Sequence, residues 1–300
     1  MKSTEYPTLL FSSILLSLLF PISTTQAQDT QDECAKIRLI SLVYQTDLQQ
    51  EGPAPQSYEP FDPVQGSIEE ITYPSFKGEM KALLDTRHIR RGQPGKVLVY
   101  LHGGFALSYA DMDDCQPFVD EGFIVFAPSF RGENGNPGSY EMMFGEVKDA
   151  VKAIRWIAEQ PFTHPDSIYV FGHSIGGAIS LALSQYDNLP IRLSGSSAGI
   201  YAEDDFTYWA ELDPDYVPFS ITDESEMMLR LPILFLECMV RPHLMYLGTD
   251  DDYAVIRKWV EEDLYPTTRI NLKFNEIPGD HSSSLRPSIK AFMQEIKYQR

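Results

Sequence analysis

The nine residues from Val170 to Ala178, VFGHSIGGA, decide how the rest of the chain is read. They follow directly on an apolar, β-favouring run (SIYV) and open a helical run (IGGAISLALSQ), so Ser174 falls where a strand turns into a helix. By itself a Gly-x-Ser-x-Gly match arises by chance about 0.1 times in a chain of this length, so its setting has to carry the weight. A serine on a sharp strand-to-helix turn presents its hydroxyl at the end of a sheet, and glycines on either side let neighbouring backbone approach without a Cβ clash. A helix-capping serine would account for Ser174 but not for Gly172 and Gly176 together.

Working outward, the same alternation recurs. Ile68 to Tyr73 and Glu79 to Asp85 read as a hairpin turning at Ser75 to Gly78, and Lys96 to Leu101 (KVLVYL) is a continuous apolar run of the kind buried on both faces of a sheet. FIVFAPS is a strand and FGEVKDAVKAIRWIAEQ a helix, whose Val147, Val151, Ile154, Ile157 and Ala158 make one apolar face. YADMDDCQPFVDEG reads as a helix interrupted by Pro117. IRLSGSSAG, HLMYLGT and NLKFNEIP are further strands, and AVIRKWVEEDL and SIKAFMQEIKY further helices. This βαβ rhythm predicts an α/β fold with a mostly parallel central sheet flanked by helices, ligands binding at the carboxyl ends of the strands. About residues 201–241 interrupt it with a long, aromatic-rich segment that includes the helical-looking ESEMMLRLPILFLECM, and this is expected to be a small cap insertion.

At the N-terminus one lysine precedes an apolar stretch from Leu9 to Phe20, then Thr25-Gln26-Ala27. This predicts a signal peptide over residues 1–27 and one domain over 28–300, secreted or periplasmic. A net charge of −19 opposes binding to nucleic acid, which needs a basic patch, and to anionic membrane. Three cysteines, Cys34, Cys115 and Cys238, allow at most one disulfide and lack metal-site spacing; Cys115 and Cys238 read as buried small hydrophobes.

A serine hydroxyl attacks only when a base removes its proton. Of six histidines, His281 alone lies in a loop after the last predicted strand, in IPGDHSSSL. His173 is expected to point away from its neighbour Ser174, and His102 to hold the loop after its strand. The base needs a carboxylate to fix its tautomer. YLGTDDDYAV supplies Asp251, with Asp250 and Asp252 as alternates; the three are consecutive, unlike the spaced ligands of a calcium loop. An oxyanion would be met by the backbone N–H of Ile175 and by a second N–H from the loop HGGF, with Phe105 first and Gly104 close behind.

Taken together, YLHGGF, SFRGENGNPG, FGHSIGGA, GTDDDYAV and PGDHSSS resemble the α/β-hydrolase superfamily, and within it the catalytic domain of the prolyl oligopeptidase family and its dienelactone-hydrolase-like relatives. The resemblance runs from about Ile68 to Arg300. It implies a Ser174, Asp251, His281 order, prefers Asp251 through the pattern Gly248-Thr249-x-Asp251 with Ala254 and Val255, and suggests a structural role for Arg131. Two departures stand out: only residues 28–67 separate the expected signal peptide from the first strand, where the family's larger peptidases carry a β-propeller, and Ser282 follows the histidine where glycine is common. The expected activity is hydrolysis of a carboxylic ester or short peptide bond through an acyl-enzyme, without a cofactor. The other classes to weigh are a prolyl oligopeptidase-like peptidase and a catalytically silent binding module; loss of a triad residue would mark the latter, and none is lost.

Overall fold

Period-two alternation on the central strands explains why helices cover both faces of the sheet. The computed structural model describes residues 32–37, 40, 43–56, 66–251 and 271–298. In strand β3 (Gly95–Leu101), Val97, Val99 and Leu101 enter one apolar core, while Leu98 and Tyr100 enter the other. Around β3 stand β1 (Ile68–Ser75), β2 (Gly78–Asp85), β4 (Ile124–Pro128), β5 (Thr163–His173), β6 (Leu193–Ser197), β7 (His243–Gly248) and β8 (Leu272–Ile277). Their order is β1-β2-β4-β3-β5-β6-β7-β8. The pairs β1–β2 and β2–β4 are antiparallel and the rest parallel, as the βαβ rhythm predicts.

Helices α1 (Tyr109–Asp114) and α2 (Gln116–Asp120) follow β3, α3 (Gly145–Ala158) follows β4, α4 (Ile175–Leu183) follows β5, and the closing helix lies over Leu285–Tyr298. Ile154 and Ile157 of α3 pack with Ala178 and Ile179 of α4 in one core; Phe118 of α2 meets Ile289 and Phe292 of the closing helix in the other. The run after β3 breaks at Cys115 rather than at Pro117. Proline stands in the first turn of α2, where its missing N–H has no helical partner to lose.

Between β6 and β7 the chain forms α5 (Glu203–Leu212), a 3₁₀ turn (Pro214–Tyr216), α6 (Glu224–Met228) and a 3₁₀ segment (Pro232–Cys238), after which the closing helix is α7. The helix expected over ESEMMLRLPILFLECM is thus cut short before Pro232, which cannot donate into a continuing ladder.

Cys238 is not a free buried thiol: it forms a disulfide with Cys34, 204 residues away, whereas Cys115 is free and buried. The bridge begins a strap. Tyr44 Oη, Thr46 Oγ1 and the Asp47 N–H all donate to the buried carboxylate of Glu226, which pairs with the buried Arg230. Further on, Gln49 N–H donates to Pro218 O at 2.7 Å, Tyr140 N–H to Gly52 O at 2.9 Å and Ala54 N–H to Gly132 O at 2.9 Å. The expected signal segment and the expected helix AVIRKWVEEDL lie outside the described residues.

Candidate active site

Strand β5 ends at His173 and α4 begins at Ile175, leaving Ser174 between them with φ +53° and ψ −122°. A non-glycine residue with positive φ is strained, and strain of this kind persists only where the surroundings over-determine it. Here Ser174 N–H donates to Ser197 O at 3.0 Å and Gly176 N–H to His102 O at 3.1 Å, tying the turn to both flanking strand ends. A Cβ on Gly172 would lie 2.0 Å from Gly176 O, so the two glycines of the motif are needed against each other.

The ends of β7 and β8 bring an acid to a histidine. Thr249 N–H donates to Ile277 O at 2.8 Å and Asp250 N–H to Gly279 O at 3.0 Å; a Cβ on Gly248 would meet Gly279 O at 2.3 Å. Asp251 Oδ2 then lies 3.5 Å from His281 Nδ1, with the Asp251 side chain 1% exposed and that of His281 33%. Asp250 is exposed, and Asp252 lies outside the described residues. Asp280 shapes the histidine loop: its Oδ1 accepts from Ser282 N–H (3.1 Å), Ser283 N–H (2.7 Å) and Ser283 Oγ (2.7 Å), which holds its carboxyl below the usual range. Ser282 keeps an ordinary negative φ there, so glycine is not required.

Ser174, His281, His173 and Ile175 line one cleft of about 430 Å3 with Gly103, Gly104 and Phe105. His173 therefore faces the same cleft as Ser174 instead of turning away from it, its ring centroid 5.0 Å from that of His281. Burial, with the neighbouring His281 second, pushes its pKa down to about 4, and Nδ1 lies 3.2 Å from Ser197 O. A neutral ring with its proton on Nδ1 fits that contact.

Behind the cleft His102 holds its loop as expected. Nδ1 lies 3.1 Å from Gly103 O and Nε2 3.1 Å from Glu133 Oε2, so both nitrogens face acceptors. Burial works against the imidazolium, but Glu133 outweighs it and the pKa rises to about 9. Phe105 N–H donates to Gln56 Oε1 at 3.1 Å. The Phe105 ring stacks on Tyr216 with centroids 4.7 Å apart and meets Trp209 edge-on at 5.4 Å, joining the HGGF loop to the insertion. Tyr100, Tyr208, Trp209, Asp111 and Asp114 complete the wall. Arg131 lies buried, both its Nε and Nη2 on Asp149 and Nη1 on Glu141 at 2.6 Å; its contacts are structural.

Gln56, Asp111, Asp114 and Glu133 were not singled out from the sequence. Glu133 lies within SFRGENGNPG, where only Arg131 drew attention; no motif surrounds the other three, and Gln56 meets its partner from 49 residues away.

An eight-stranded, mostly parallel sheet with a strained serine at the end of its fifth strand is the α/β-hydrolase fold. The chain belongs to the X-Pro dipeptidyl-peptidase (S15) family, which matches residues 28–210, more than half of its length. Among its relatives, the uncharacterized peptidase YtmA of Bacillus subtilis (strain 168) is 32% identical over 92 residues, a stretch covering 30% of this chain and 36% of that one. Pyrococcus horikoshii acylaminoacyl peptidase shares the fold at 18% identity with a TM-score of 0.58, over 77% of this chain and 41% of that chain. Pyrococcus furiosus esterase Pf2001 does so at 14% identity with a TM-score of 0.59, over 85% and 97%. The chain thus spans well under half of both peptidases and nearly all of the esterase.

Proposed function

We propose that this protein is an exported hydrolase that cleaves a carboxylic ester or a short peptide bond through an acyl-enzyme on Ser174. The observation that carries the reading is the strained Ser174 turn opening on the cleft that also holds His281, with buried Asp251 behind it. Ser174 Oγ adds to the substrate carbonyl while His281 takes its proton; the C–O or C–N bond then breaks and the leaving group receives that proton. Water, deprotonated by the same imidazole, displaces Ser174 and releases the acid. Asp251 orients His281 and stabilises its charged form. Ile175 N–H is one oxyanion donor. For the other, the sequence puts Phe105 N–H first; its engagement with Gln56 at 3.1 Å supports Gly104 N–H in its place.

Family membership and the peptidase relative favour a peptide, and the match to nearly the whole length of an esterase favours an ester. The insertion acts as a small cap whose Tyr208 and Trp209 offer apolar surface to the acyl side. Export is supported by the Cys34–Cys238 disulfide, since cytosolic thiols are kept reduced, and by the signal-like residues 1–27.

The test is labelling with a fluorophosphonate probe beside a Ser174→Ala variant, followed by assay of p-nitrophenyl esters of graded length and a prolyl-dipeptide anilide. Labelling of the wild type alone is expected, and the better leaving-group class decides between ester and peptide. A wild type that neither labels nor turns over any of these substrates would make the chain a silent binding module.

A further inference from the structure

The second oxyanion donor sits on a loop with little stiffness of its own. Gly103 and Gly104 carry no side chain, and Gly104 takes the left-handed φ of +69°, so the peptide planes on either side of Gly104 swing freely unless something outside the loop holds them. At one end the His102 ring grips Gly103 O, as described. At the other, Asn134 Oδ1 accepts from Leu107 N–H at 3.1 Å and Asn134 Nδ2 donates to Leu107 O at 2.9 Å. Between these anchors the Gly104–Phe105 peptide is held by Gln56, whose Oε1 accepts its N–H at 3.1 Å. The same oxygen lies 2.9 Å from where a Cβ on Gly104 would stand, so the amide packs directly against the loop backbone. On the other flank, a Cβ on Gly103 would lie 3.3 Å from Ser174 Cβ. The loop is therefore sandwiched between the serine and Gln56.

Given the Ser174 reading above, on which this rests, we propose that Gln56 is a positioning residue of the oxyanion hole. By holding Phe105 N–H it fixes the Gly104–Phe105 peptide plane, while His102 holds Gly103 O and with it the Gly103–Gly104 plane that carries Gly104 N–H; with the planes on both sides of Gly104 held, its N–H stays aimed at the developing oxyanion. Preorganisation of this kind matters because an oxyanion donor contributes only if it already points to where charge develops. Gln56 is itself preorganised: the strap that carries it is tied at Cys34–Cys238, at Glu226, at Gly52 and at Ala54. The acceptor thus reaches the loop with little left to order.

The test uses the full-length mature chain and three variants: Gln56→Met, which keeps length and bulk but has no acceptor oxygen, Gln56→Ala, and Gln56→Glu, which keeps an acceptor. Removing a whole oxyanion donor costs about 10²- to 10³-fold in kcat, and misaiming one costs less. Gln56→Met and Gln56→Ala should lose about 10- to 100-fold in kcat on a p-nitrophenyl ester with KM within about twofold, and Gln56→Glu should recover at least half of that loss on a logarithmic scale. The proposal is overturned if Gln56→Met keeps wild-type kcat. It is equally overturned if Gln56→Met raises kcat/KM, which would make Gln56 an occupant of the hole that substrate must displace. A third overturning result is that all three variants lose activity in step with their urea midpoints, since that marks a merely structural contact. Failure of the Ser174 reading shows separately, as a wild type that no fluorophosphonate labels.

Discussion

A Cβ placed on Gly176 would lie 2.1 Å from the carbonyl oxygen of Leu101, the last residue of β3. The strand that leads to the HGGF loop and the helix that follows the serine are therefore in direct backbone contact, with no room for any side chain between them. Gly176→Ala must push α4 away from the sheet, which moves Ile175 N–H and Ser174 together. Overpacking of this kind costs about 1–3 kcal/mol and more where backbone is the obstacle. The variant should lose fluorophosphonate labelling by at least about tenfold in rate and melt at a lower temperature; wild-type labelling by a stably folded Gly176→Ala would contradict the turn geometry.

In the proposed triad, burial chooses between the aspartates. Asp251 is buried beside His281 and Asp250 is exposed, so Asp251→Asn should lower kcat by about 10³- to 10⁴-fold while Asp250→Asn stays within about threefold of wild type. Steady-state kinetics of the two variants on one ester checks this. A reversed order would move the acid to Asp250.

Stability should fall on the alkaline side. Burial, and then the charge of Glu141, push the Glu146 carboxyl up to about 8, and His102 is raised to about 9. Both folded-state values lie above their unfolded ones, so each contribution is present at low pH and is lost as pH rises, from about 4.5 to 8 for Glu146 and from about 6.5 to 9 for His102. His243 works oppositely: burial lowers it to about 3, so its contribution is present above about 6.5 and is lost as pH falls. Urea midpoints measured from pH 5 to 9.5 should decline above pH 7, and Glu146→Gln should flatten that decline. An unchanged slope in Glu146→Gln would remove Glu146 from the account.

The Cys34–Cys238 bridge closes a loop of 204 residues. In the chain-entropy picture such a crosslink contributes on the order of 3–5 kcal/mol by restricting the unfolded chain. Denaturation of the Cys34→Ser variant, or of the wild type under reductant, should show a loss of that size, with Cys115 remaining unmodified until the core opens. A midpoint indifferent to reductant would contradict it.

The parts of this protein that follow from local pattern were legible before the structure. Continuous apolar runs such as KVLVYL and FIVFAPS can only be central strands, and glycines on both sides of Ser174 can only be explained by close backbone approach, seen at Gly172 and Gly176. That Ser174, Asp251 and His281 all stand at strand ends likewise followed from the order of strands and loops, because a parallel sheet delivers its strand ends to one edge. The break at Cys115 and the neutral His173 facing the cleft were not legible, since each depends on how a segment packs on its neighbours.

What the sequence alone determined, then, is the backbone plan: strand, turn and helix are set by hydropathy period and by where a Cβ is tolerated, and both are properties of short stretches of chain. Only the tertiary structure decided the pairings across it. Cys34 with Cys238, Glu226 with the strap, Arg131 with Asp149, and Gln56 with Phe105 join residues separated by 18 to 204 positions. A polar side chain buried by folding must find a partner, but which one depends on what the finished packing brings within about 3 Å of it.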